Sequence, residues 1–342
     1  MPDPKSLMLT EAGQSPQVVD ELLAREAPAF AALAREVAGR DVRLFSTAAR
    51  GSSDHAATVF KYLMEIETGL PVVSIGPSVA SVYQRPLRLE GAVHVTISQS
   101  GASPDIVAMQ AAAKAGGALT VAVVNVTDSP GAAKADIVIG LGAGVERSVA
   151  ATKSFIASVA ALAGIVSAVG ARPALAAGLM RLPEALAATE GLPFGDAVEA
   201  LTGAGSLFVA GRGPGFGIAQ EAALKAKETA ALHAEAFSLA ELQHGPMRLV
   251  GPGFPVLAFV PDDAGFAGNQ QTLARLAGMG ARTFALSSRP MPGAAALPGT
   301  GSGLIDPLVA LLHYYRLIET VARARGHNPD RPANLAKVTE TL

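Results

Sequence analysis

The sequence contains no cysteine among its 342 residues. Disulfides, thiolate metal sites and cysteine nucleophiles are therefore excluded within it, and so is thiol-dependent hydrolysis of glutamine. Tryptophan is also absent, and charged residues make up only 16% of the chain. Because the formal net charge is -2, nothing in the composition favours a polyanionic partner, and we expect no nucleic-acid ligand.

The first residues of the sequence are not typical of a signal peptide. The start Met1-Pro-Asp-Pro-Lys has neither the basic beginning nor the apolar core of a signal peptide, so we expect a cytoplasmic protein. One uncharged stretch, residues 154–171, lies at the lower edge of the length that a membrane-spanning helix requires. It is rich in Ala, Ser and Gly, so we interpret it as a buried core helix and expect no membrane partner.

Half of the residues are hydrophobic, and the length allows about two domains. Short β-branched runs flanked by Gly or Ser alternate with longer Ala- and Leu-rich segments, which is typical of strands and crossover helices in a parallel sheet. We predict an α/β fold of two doubly wound, flavodoxin-like three-layer αβα subdomains related as a tandem repeat. The predicted strands are 42–46, 71–75, 92–97, 119–125, 137–141, 206–210, 255–260 and 282–286, and the predicted helices are 53–67, 104–115, 152–169, 216–231, 268–279 and 307–325.

The repeat is indicated by a shared plan of strand, glycine-containing turn and helix at the start of each half. We predict four segments: an N-terminal helical lead over 1–30, a first subdomain over 31–185, a second over 195–325, and a tail over 326–342. The Pro- and Gly-rich stretch 290–303 is predicted to be a loop. Open α/β sheets bind ligands outside the carboxyl ends of their strands, so the loops after the strands are where chemistry is expected.

A hydroxyl-rich turn, Ser98-Gln-Ser-Gly-Ala-Ser-Pro-Asp, follows the third predicted strand. Ser103 fits an N-cap and Pro104 fits the first helical position, so the free N–H groups of the next helix should face this turn. Those donors, together with the hydroxyls of Ser98, Ser100 and Ser103 and the Gln99 amide, suit a phosphate dianion. The alternative is that the serines only cap the helix and complete a turn.

Two other turns follow predicted strands. In Arg50-Gly-Ser-Ser-Asp, Ser52 and Ser53 can donate to the same ligand, or one of them can cap the next helix. The turn Gly211-Arg-Gly-Pro-Gly raises a dinucleotide site as an alternative, but Pro214 interrupts that fingerprint and no ribose-binding acid follows at the expected place. A serine hydrolase is disfavoured because Ser98-Gln-Ser-Gly lacks the leading glycine of a nucleophile elbow.

Acid–base candidates lie in the second half. Glu221, Lys225 and Glu228 fall at i, i+4 and i+7 on one helix face, a spacing that by itself favours a ladder of solvated ion pairs. Downstream, His244 precedes Gly-Pro, a turn that exposes a side chain, which makes it a candidate acid–base group. Lys337 ends the apolar stretch 332–337, which predicts a docked tail and a partly desolvated lysine suited to neutralise an oxyanion or form an imine.

These segments resemble the sugar isomerase (SIS) domain family, and within it the isomerase half of glucosamine-6-phosphate synthase and stand-alone SIS-type deaminases. The resemblance covers nearly the whole chain. It is carried by Ser98-Gln-Ser-Gly-Ala-Ser-Pro-Asp, Ala151-Thr-Lys-Ser-Phe, Gly211-Arg-Gly with Glu221-Ala-Ala-Leu-Lys-Ala-Lys-Glu, His233-Ala-Glu-Ala with Glu241-Leu-Gln-His-Gly-Pro, and Asn334-Leu-Ala-Lys.

The resemblance implies a role for each candidate residue. It implies that Glu228 moves a proton between C1 and C2, that His244 assists ring opening from the neighbouring subunit, and that Lys337 and Lys225 complete the catalytic set. The residues implied to bind the sugar phosphate are Ser52, Ser53, Ser98, Gln99, Ser100, Ser103, Val149 and Glu221. It further implies a small-molecule sugar phosphate as ligand, a homodimer or higher homo-oligomer, and no metal or other cofactor.

Two residues depart from the synthase pattern, and the first of them leaves the sugar open. Ala151 stands where the synthase has a serine, and Ala102 stands where it has an acid. We predict conversion of glucosamine 6-phosphate to fructose 6-phosphate and ammonia. The alternatives are a synthase-type or other sugar-phosphate isomerase or deglycase, and a non-enzymatic sugar-phosphate sensor. A sensor needs the phosphate loop but not Glu228, His244 and Lys337 together, so the sequence favours an enzyme.

Overall fold

The computed structural model describes residues 5–337. The described chain forms two compact units, each with one parallel five-stranded sheet. The first-sheet unit comprises Gln17–Glu146 and Lys153–Met180. The second-sheet unit comprises the chain up to Pro16, Arg147–Thr152 and Arg181–Lys337.

Strands and helices alternate along both units. The elements up to residue 187 are α1 Leu7–Ala12, α2 Ser15–Ala38, β1 Leu44–Ala48, α3 Ser52–Thr68, β2 Val72–Ser74, α4 Ser78–Ser81, β3 Ala92–Ser98, α5 Pro104–Ala115, β4 Leu119–Val124, β5 Ile137–Gly140, α6 Lys153–Val169 and α7 Pro173–Ala187. They are followed by α8 Ala197–Thr202, β6 Ser206–Gly211, α9 Pro214–Ala230, β7 His233–Ser238, β8 Pro255–Phe259, α10 Phe266–Gly278, β9 Arg282–Ser287, β10 Ala294–Ala296 and α11 Asp306–Ala324.

The two sheets have the same topology. The first sheet has the strand order β2-β1-β3-β4-β5, and the second, read from its other edge, has the order β7-β6-β8-β9-β10. All neighbouring strands are parallel. This is the flavodoxin-like order 2-1-3-4-5, repeated once. The predicted α/β tandem repeat is therefore confirmed.

The repeat extends to single backbone angles. Gly51 is the N-cap of α3 with φ 54° and ψ -132°, and Gly213 is the N-cap of α9 with φ 57° and ψ -135°. A positive φ of this size favours glycine, since a Cβ would be strained there. In each half an arginine, Arg50 or Arg212, stands immediately before this glycine. The first strand of each half therefore leads into its helix through the same turn.

Every strand and helix predicted from the sequence is present, with ends that differ by no more than about two residues. Two strands were missed. β7 was not assigned to any element, and β10 lies inside the stretch predicted to be a loop, so that prediction is wrong for three residues. Both are edge strands of the second sheet, and their exposed or small residues do not give the apolar runs of central strands.

The cores confirm the interpretation of the uncharged stretch. Nearly all of α6 is buried, and it packs against α3 in the first-sheet unit. In the second-sheet unit, α9 packs against α11. Among residues 5–337, no helix combines the length and the apolar character that crossing a bilayer demands. The stretch 154–171 is therefore explained by core packing.

Candidate active site

The loop between β3 and α5, residues 98–103, is called the phosphate loop below. Ser98 is buried and its Oγ accepts a hydrogen bond from the Gly101 N–H at 3.1 Å, while the Ser100 Oγ accepts from the Ala102 N–H at 3.3 Å. A hydroxyl that accepts one hydrogen bond still has its own hydrogen to donate. Both serines therefore shape the loop and keep a donor, which is what phosphate oxygens require.

Gly101 fixes the conformation of this loop. Its φ is 62°, in the left-handed region, and a Cβ at this position would overlap the Ser129 hydroxyl. The Gly131 N–H donates to the Gly101 carbonyl at 2.9 Å, which holds the loop from the side of the following turn. No other residue type satisfies both the angle and the close approach.

The start of α5 differs in one detail from the prediction. Ser103 occupies the N-cap and Pro104 the first helical position, as expected, but the Ser103 hydroxyl makes no capping hydrogen bond. Instead, the Asp105 Oδ1 accepts the N–H of Ile106 at 2.8 Å. The prediction that the Ser103 side chain caps the helix is therefore wrong, because a carboxylate one residue from that N–H takes the place.

Ser52 and Ser53 lie in the first turn of α3 and are half-buried. Gly51 occupies the N-cap, so the alternative that one of these serines is the N-cap residue is also wrong. An arginine that the sequence did not single out connects this turn to the phosphate loop. The Arg50 Nε and Nη2 both lie 2.9 Å from the Asp105 Oδ2.

The charged face of α9 is buried. The Lys225 Nζ lies 3.2 Å from the Glu221 Oε1 and 2.6 Å from the Glu228 Oε2. The side chains of Lys225 and Glu221 are 1% and 0% exposed, and that of Glu228 is 19% exposed. The prediction of a solvated ladder is therefore wrong. The reason is that α11 packs on α9, and its Tyr315 hydroxyl contributes a 3.4 Å hydrogen bond to the Glu221 Oε1.

The two carboxylates decide the charge of Lys225. Burial by itself lowers the pKa of Lys225, but the attraction of Glu221 and Glu228 outweighs it, so the pKa of Lys225 is raised above its ordinary value. The lysine is therefore an ammonium that holds Glu228 by a short hydrogen bond. Glu228 is the one member of this triad with appreciable solvent access, which leaves a fixed carboxylate that a ligand can reach.

Two further predicted residues lie outside α9. His244 is exposed at the end of a 3₁₀ turn, Glu241–His244, and within residues 5–337 no hydrogen bond or ion pair joins it to Glu228. Val149 is half-buried, next to Ser148, whose N–H donates to the Glu11 carboxylate at 3.1 Å.

The predicted tail is described as far as Lys337. Lys337 is half-buried, but Leu335 is 49% exposed, so the apolar stretch does not bury its leucine. The chain after Gly326 forms turns without a helix or strand, and its Asp330 carboxylate accepts the N–H groups of Leu7 and Met8 at 2.8 Å. Docking of the tail at the sugar site stays a prediction. The last residues of the predicted tail, 338–342, lie outside the described residues.

A separate cavity of about 540 Å³ lies in the second-sheet unit. Its lining is mainly apolar and includes Phe194, Phe284, Leu297 and His313. None of the predicted site residues lines it, so its size alone does not make it the site of the predicted chemistry. In the described part of the chain, no group of three or more His, Asp or Glu side chains is arranged to hold a metal ion.

One protein family matches parts of both halves of the chain. The SIS domain family matches residues 43–168 and 200–282. The chain belongs to the SIS domain family. The matched ranges contain the phosphate loop, the Arg50 turn and the α9 triad, so the SIS resemblance drawn from the motifs is confirmed.

Relatives of this SIS chain include enzymes of amino-sugar metabolism. The glutamine–fructose-6-phosphate aminotransferase (isomerizing) of Symbiobacterium thermophilum is 35% identical over 318 residues, which is 87% of this chain and 52% of the relative. The aminotransferase of Aeropyrum pernix is 33% identical over 96% of this chain and 56% of the relative. The SIS chain thus spans about half the length of the curated relatives it matches.

Solved structures of other proteins share the fold of this chain. A protein of Silicibacter pomeroyi DSS-3, provisionally named a phosphosugar isomerase, is 42% identical with a TM-score of 0.90, covering 95% of this chain and 100% of that one. The glucosamine-6-phosphate deaminase of Thermotoga maritima has a TM-score of 0.75 over 98% of this chain and 100% of its own, at 18% identity. At that identity the likeness shows a shared fold alone.

Proposed function

We propose that this SIS chain is a phosphosugar aldose–ketose isomerase that converts glucosamine 6-phosphate to fructose 6-phosphate and ammonia. The observation that carries the proposal is the buried Lys225 that fixes the partly exposed Glu228 carboxylate. A structural ion pair has no need of a solvent-accessible end, whereas a proton-transfer base must be both positioned and reachable. The hydroxyl donors of the phosphate loop supply the complementary requirement, a place for the phosphate of the substrate.

In the proposed reaction His244 assists ring opening to the free aldehyde. The Glu228 carboxylate then takes the proton from C2, and the C2–H electron pair forms a C1=C2 double bond. The π pair of the C1=O bond moves to the oxygen, which takes a proton from water, giving a cis-enolamine. Return of the proton to C1 gives a C2 ketimine. Water adds to the ketimine carbon, and ammonia leaves with formation of fructose 6-phosphate. Such general acid–base help contributes roughly 10²–10⁴-fold to a rate, and binding of the phosphate provides the positioning.

We further propose that His244 acts on the substrate of a neighbouring subunit in a homodimer or larger homo-oligomer. Its exposure and the absence of a bond to Glu228 within the described residues support this arrangement, because a side chain that serves another copy must be reachable from outside its own fold. Lys337 is proposed to complete the sugar site.

The test is ammonia and fructose 6-phosphate formation from glucosamine 6-phosphate by the purified protein. We expect equimolar products, and we expect Glu228→Gln to lower kcat by at least about 10²-fold while the Kd for the sugar phosphate changes little. Glu199→Gln, an exposed carboxylate on α8, serves as the matched control and should remain fully active. A fully active Glu228→Gln enzyme would rule out the proposed base.

The same assay separates the rival functions. Formation of glucosamine 6-phosphate from fructose 6-phosphate and free ammonia, without measurable release of ammonia, would favour a synthase-type direction. Tight binding of sugar phosphates with no turnover of glucosamine 6-phosphate, N-acetylglucosamine 6-phosphate or galactosamine 6-phosphate would favour a sensor. The buried Lys225 favours the enzyme over the sensor, because a sensor gains nothing from a carboxylate held by a desolvated ammonium.

A further inference from the structure

A buried negative charge lies beside the phosphate loop. Asp105 is in the first turn of α5, two residues after Ser103, and its carboxylate is 0% exposed. A phosphate dianion bound in this loop would lie within a few residues of that carboxylate, which is itself buried. Like charges at such short range are strongly unfavourable, so the site requires a cation that offsets Asp105.

Arg50 is that cation. Its Nε and Nη2 both donate to one oxygen of Asp105, the Oδ2, while the other oxygen accepts the Ile106 N–H. The Arg50 side chain is nevertheless 49% exposed. A guanidinium has five N–H donors in a planar fork, so the ion pair with Asp105 leaves donors of the same plane available to a second anion.

The residues around this ion pair carry hydroxyl groups that can donate to the same phosphate. Arg50 stands two residues before Ser52, and Asp105 stands two residues after Ser103, so one ion pair joins the two hydroxyl-bearing turns. Gly51, with φ 54°, turns the chain between Arg50 and the start of α3. Rigid placement of the two turns is what a site for a single phosphate group requires.

We propose that Arg50 is a phosphate-positioning residue, whose guanidinium bridges the buried Asp105 carboxylate and the phosphate of the substrate. It neutralises the first and hydrogen-bonds the second. Arginine is suited to this because its fork matches two anionic oxygens at once, which a lysine ammonium does not do. The role rests on the proposed function in that the ligand is a sugar phosphate, but it is measured by binding, independently of turnover.

The test is titration calorimetry with glucosamine 6-phosphate, fructose 6-phosphate and inorganic phosphate. Arg50→Met keeps the length of the side chain and removes its charge. We expect it to raise the Kd for all three ligands at least about tenfold, the loss typical of a charge-assisted hydrogen bond. In turnover the change should fall on KM, with kcat altered less than about threefold, because Arg50 holds the phosphate and not the reacting carbons. Arg50→Lys should recover part of the affinity.

A double variant separates direct contact from simple neutralisation of Asp105. Asp105→Asn removes the buried charge that loses its arginine partner in Arg50→Met. If Arg50 touches the phosphate, Arg50→Met with Asp105→Asn should fold normally and still bind at least about tenfold more weakly than wild type. Wild-type affinity in the double variant would overturn the proposal, because it would show that Arg50 acts only on Asp105.

The matched control is Arg289→Met. Arg289 forms a similar ion pair, 3.0 Å from Asp262, with a similar exposure of 53%, in the second-sheet unit. It should leave all three Kd values unchanged. A wild-type protein that binds sugar phosphates without turning them over would contradict the proposed function and still test Arg50, whereas a wild type that binds none of the three ligands would overturn both. Unchanged Kd values in Arg50→Met would overturn the role of Arg50 alone.

Discussion

Lys225 is a buried ammonium between two carboxylates. It is nearly inaccessible to solvent, and its two carboxylate partners, Glu221 and Glu228, lie one turn before and one turn after it on α9. Removing the ammonium leaves Glu221, which is fully buried, without its ion pair. Removing one partner of a buried pair costs far more than removing both, since an uncompensated buried charge remains.

We therefore expect Lys225→Met to lower the free energy of unfolding by about 3–5 kcal/mol, measured in urea. Lys225→Met combined with Glu221→Gln should recover most of that loss, because no buried charge is then left unpaired. Activity should stay low in both variants, since Glu228 loses the donor that holds it. Lys227→Met, at an exposed position of the same helix, is the control and should change neither quantity. An active double variant would show that Lys225 serves stability alone.

For single residues, the sequence predicts which side chains share a helix face, but it does not predict whether that face is buried. The spacing of Glu221, Lys225 and Glu228 predicts that they lie on one side of a helix, as they do. Whether another helix covers that side depends on α11, about ninety residues later, and the local pattern carries no such information. Arg50 was missed for the same reason, because its partner Asp105 is 55 residues away in sequence.

The phosphate loop is an element whose shape depends on one glycine. Gly101 has a positive φ and also approaches Ser129 too closely for a Cβ, whereas Gly144 has a similar φ of 65° with nothing within 4 Å. The pair therefore separates backbone strain from steric overlap. Both glycines lie in loops that follow strands of the first-sheet unit, Gly101 buried and Gly144 exposed.

We expect Gly144→Ala to cost about 1–2 kcal/mol of unfolding free energy from backbone strain alone. Gly101→Ala should cost about 1–3 kcal/mol more, because the loop must also move away from Ser129. That movement displaces the Ser98 and Ser100 hydroxyls, so the Kd for inorganic phosphate should rise in Gly101→Ala and not in Gly144→Ala. Equal losses of stability in urea for the two variants would show that Ser129 does not constrain the loop.

The central strands and helices were predictable because their hydrophobic pattern and the residues at their ends indicate the same boundaries. Central parallel strands are buried on both faces and read as apolar runs, and Ser103-Pro104 marks the start of α5 unambiguously. β7 and β10 lie at the edges of the second sheet, where half-exposed or alanine-only sequences look like loops. Their pairing is decided by the neighbouring strands β6 and β9, which only the assembled sheet supplies.

For the whole molecule, the proposed sharing of His244 between subunits has a direct test. A hybrid dimer of one Glu228→Gln chain and one His244→Ala chain has one doubly defective site. Its other site combines an intact Glu228 with the intact His244 of the partner subunit. Random mixing of the two inactive variants, by refolding or co-expression, should therefore restore about a quarter of wild-type activity.

If His244 acted within its own chain, both sites of every hybrid would be defective and mixing would restore nothing. Size measurements on the same samples supply the control, since recovery of activity requires exchange between chains. Two separate preparations of Glu228→Gln, mixed in the same way, should give no activity in any case. A monomeric protein with full activity would contradict the sharing of His244 outright.

The two copies of the repeat differ in the loop that follows their third strand in chain order. The loop after β8 is the counterpart of the phosphate loop, and there the Asp263 Oδ1 accepts the N–H of Gly265 at 2.7 Å, just before α10 begins. Burial raises the pKa of this carboxyl. The second copy thus closes the turn before its helix with a side-chain carboxylate of its own. The two counterpart loops therefore differ, and the phosphate site that we propose lies in the first of them.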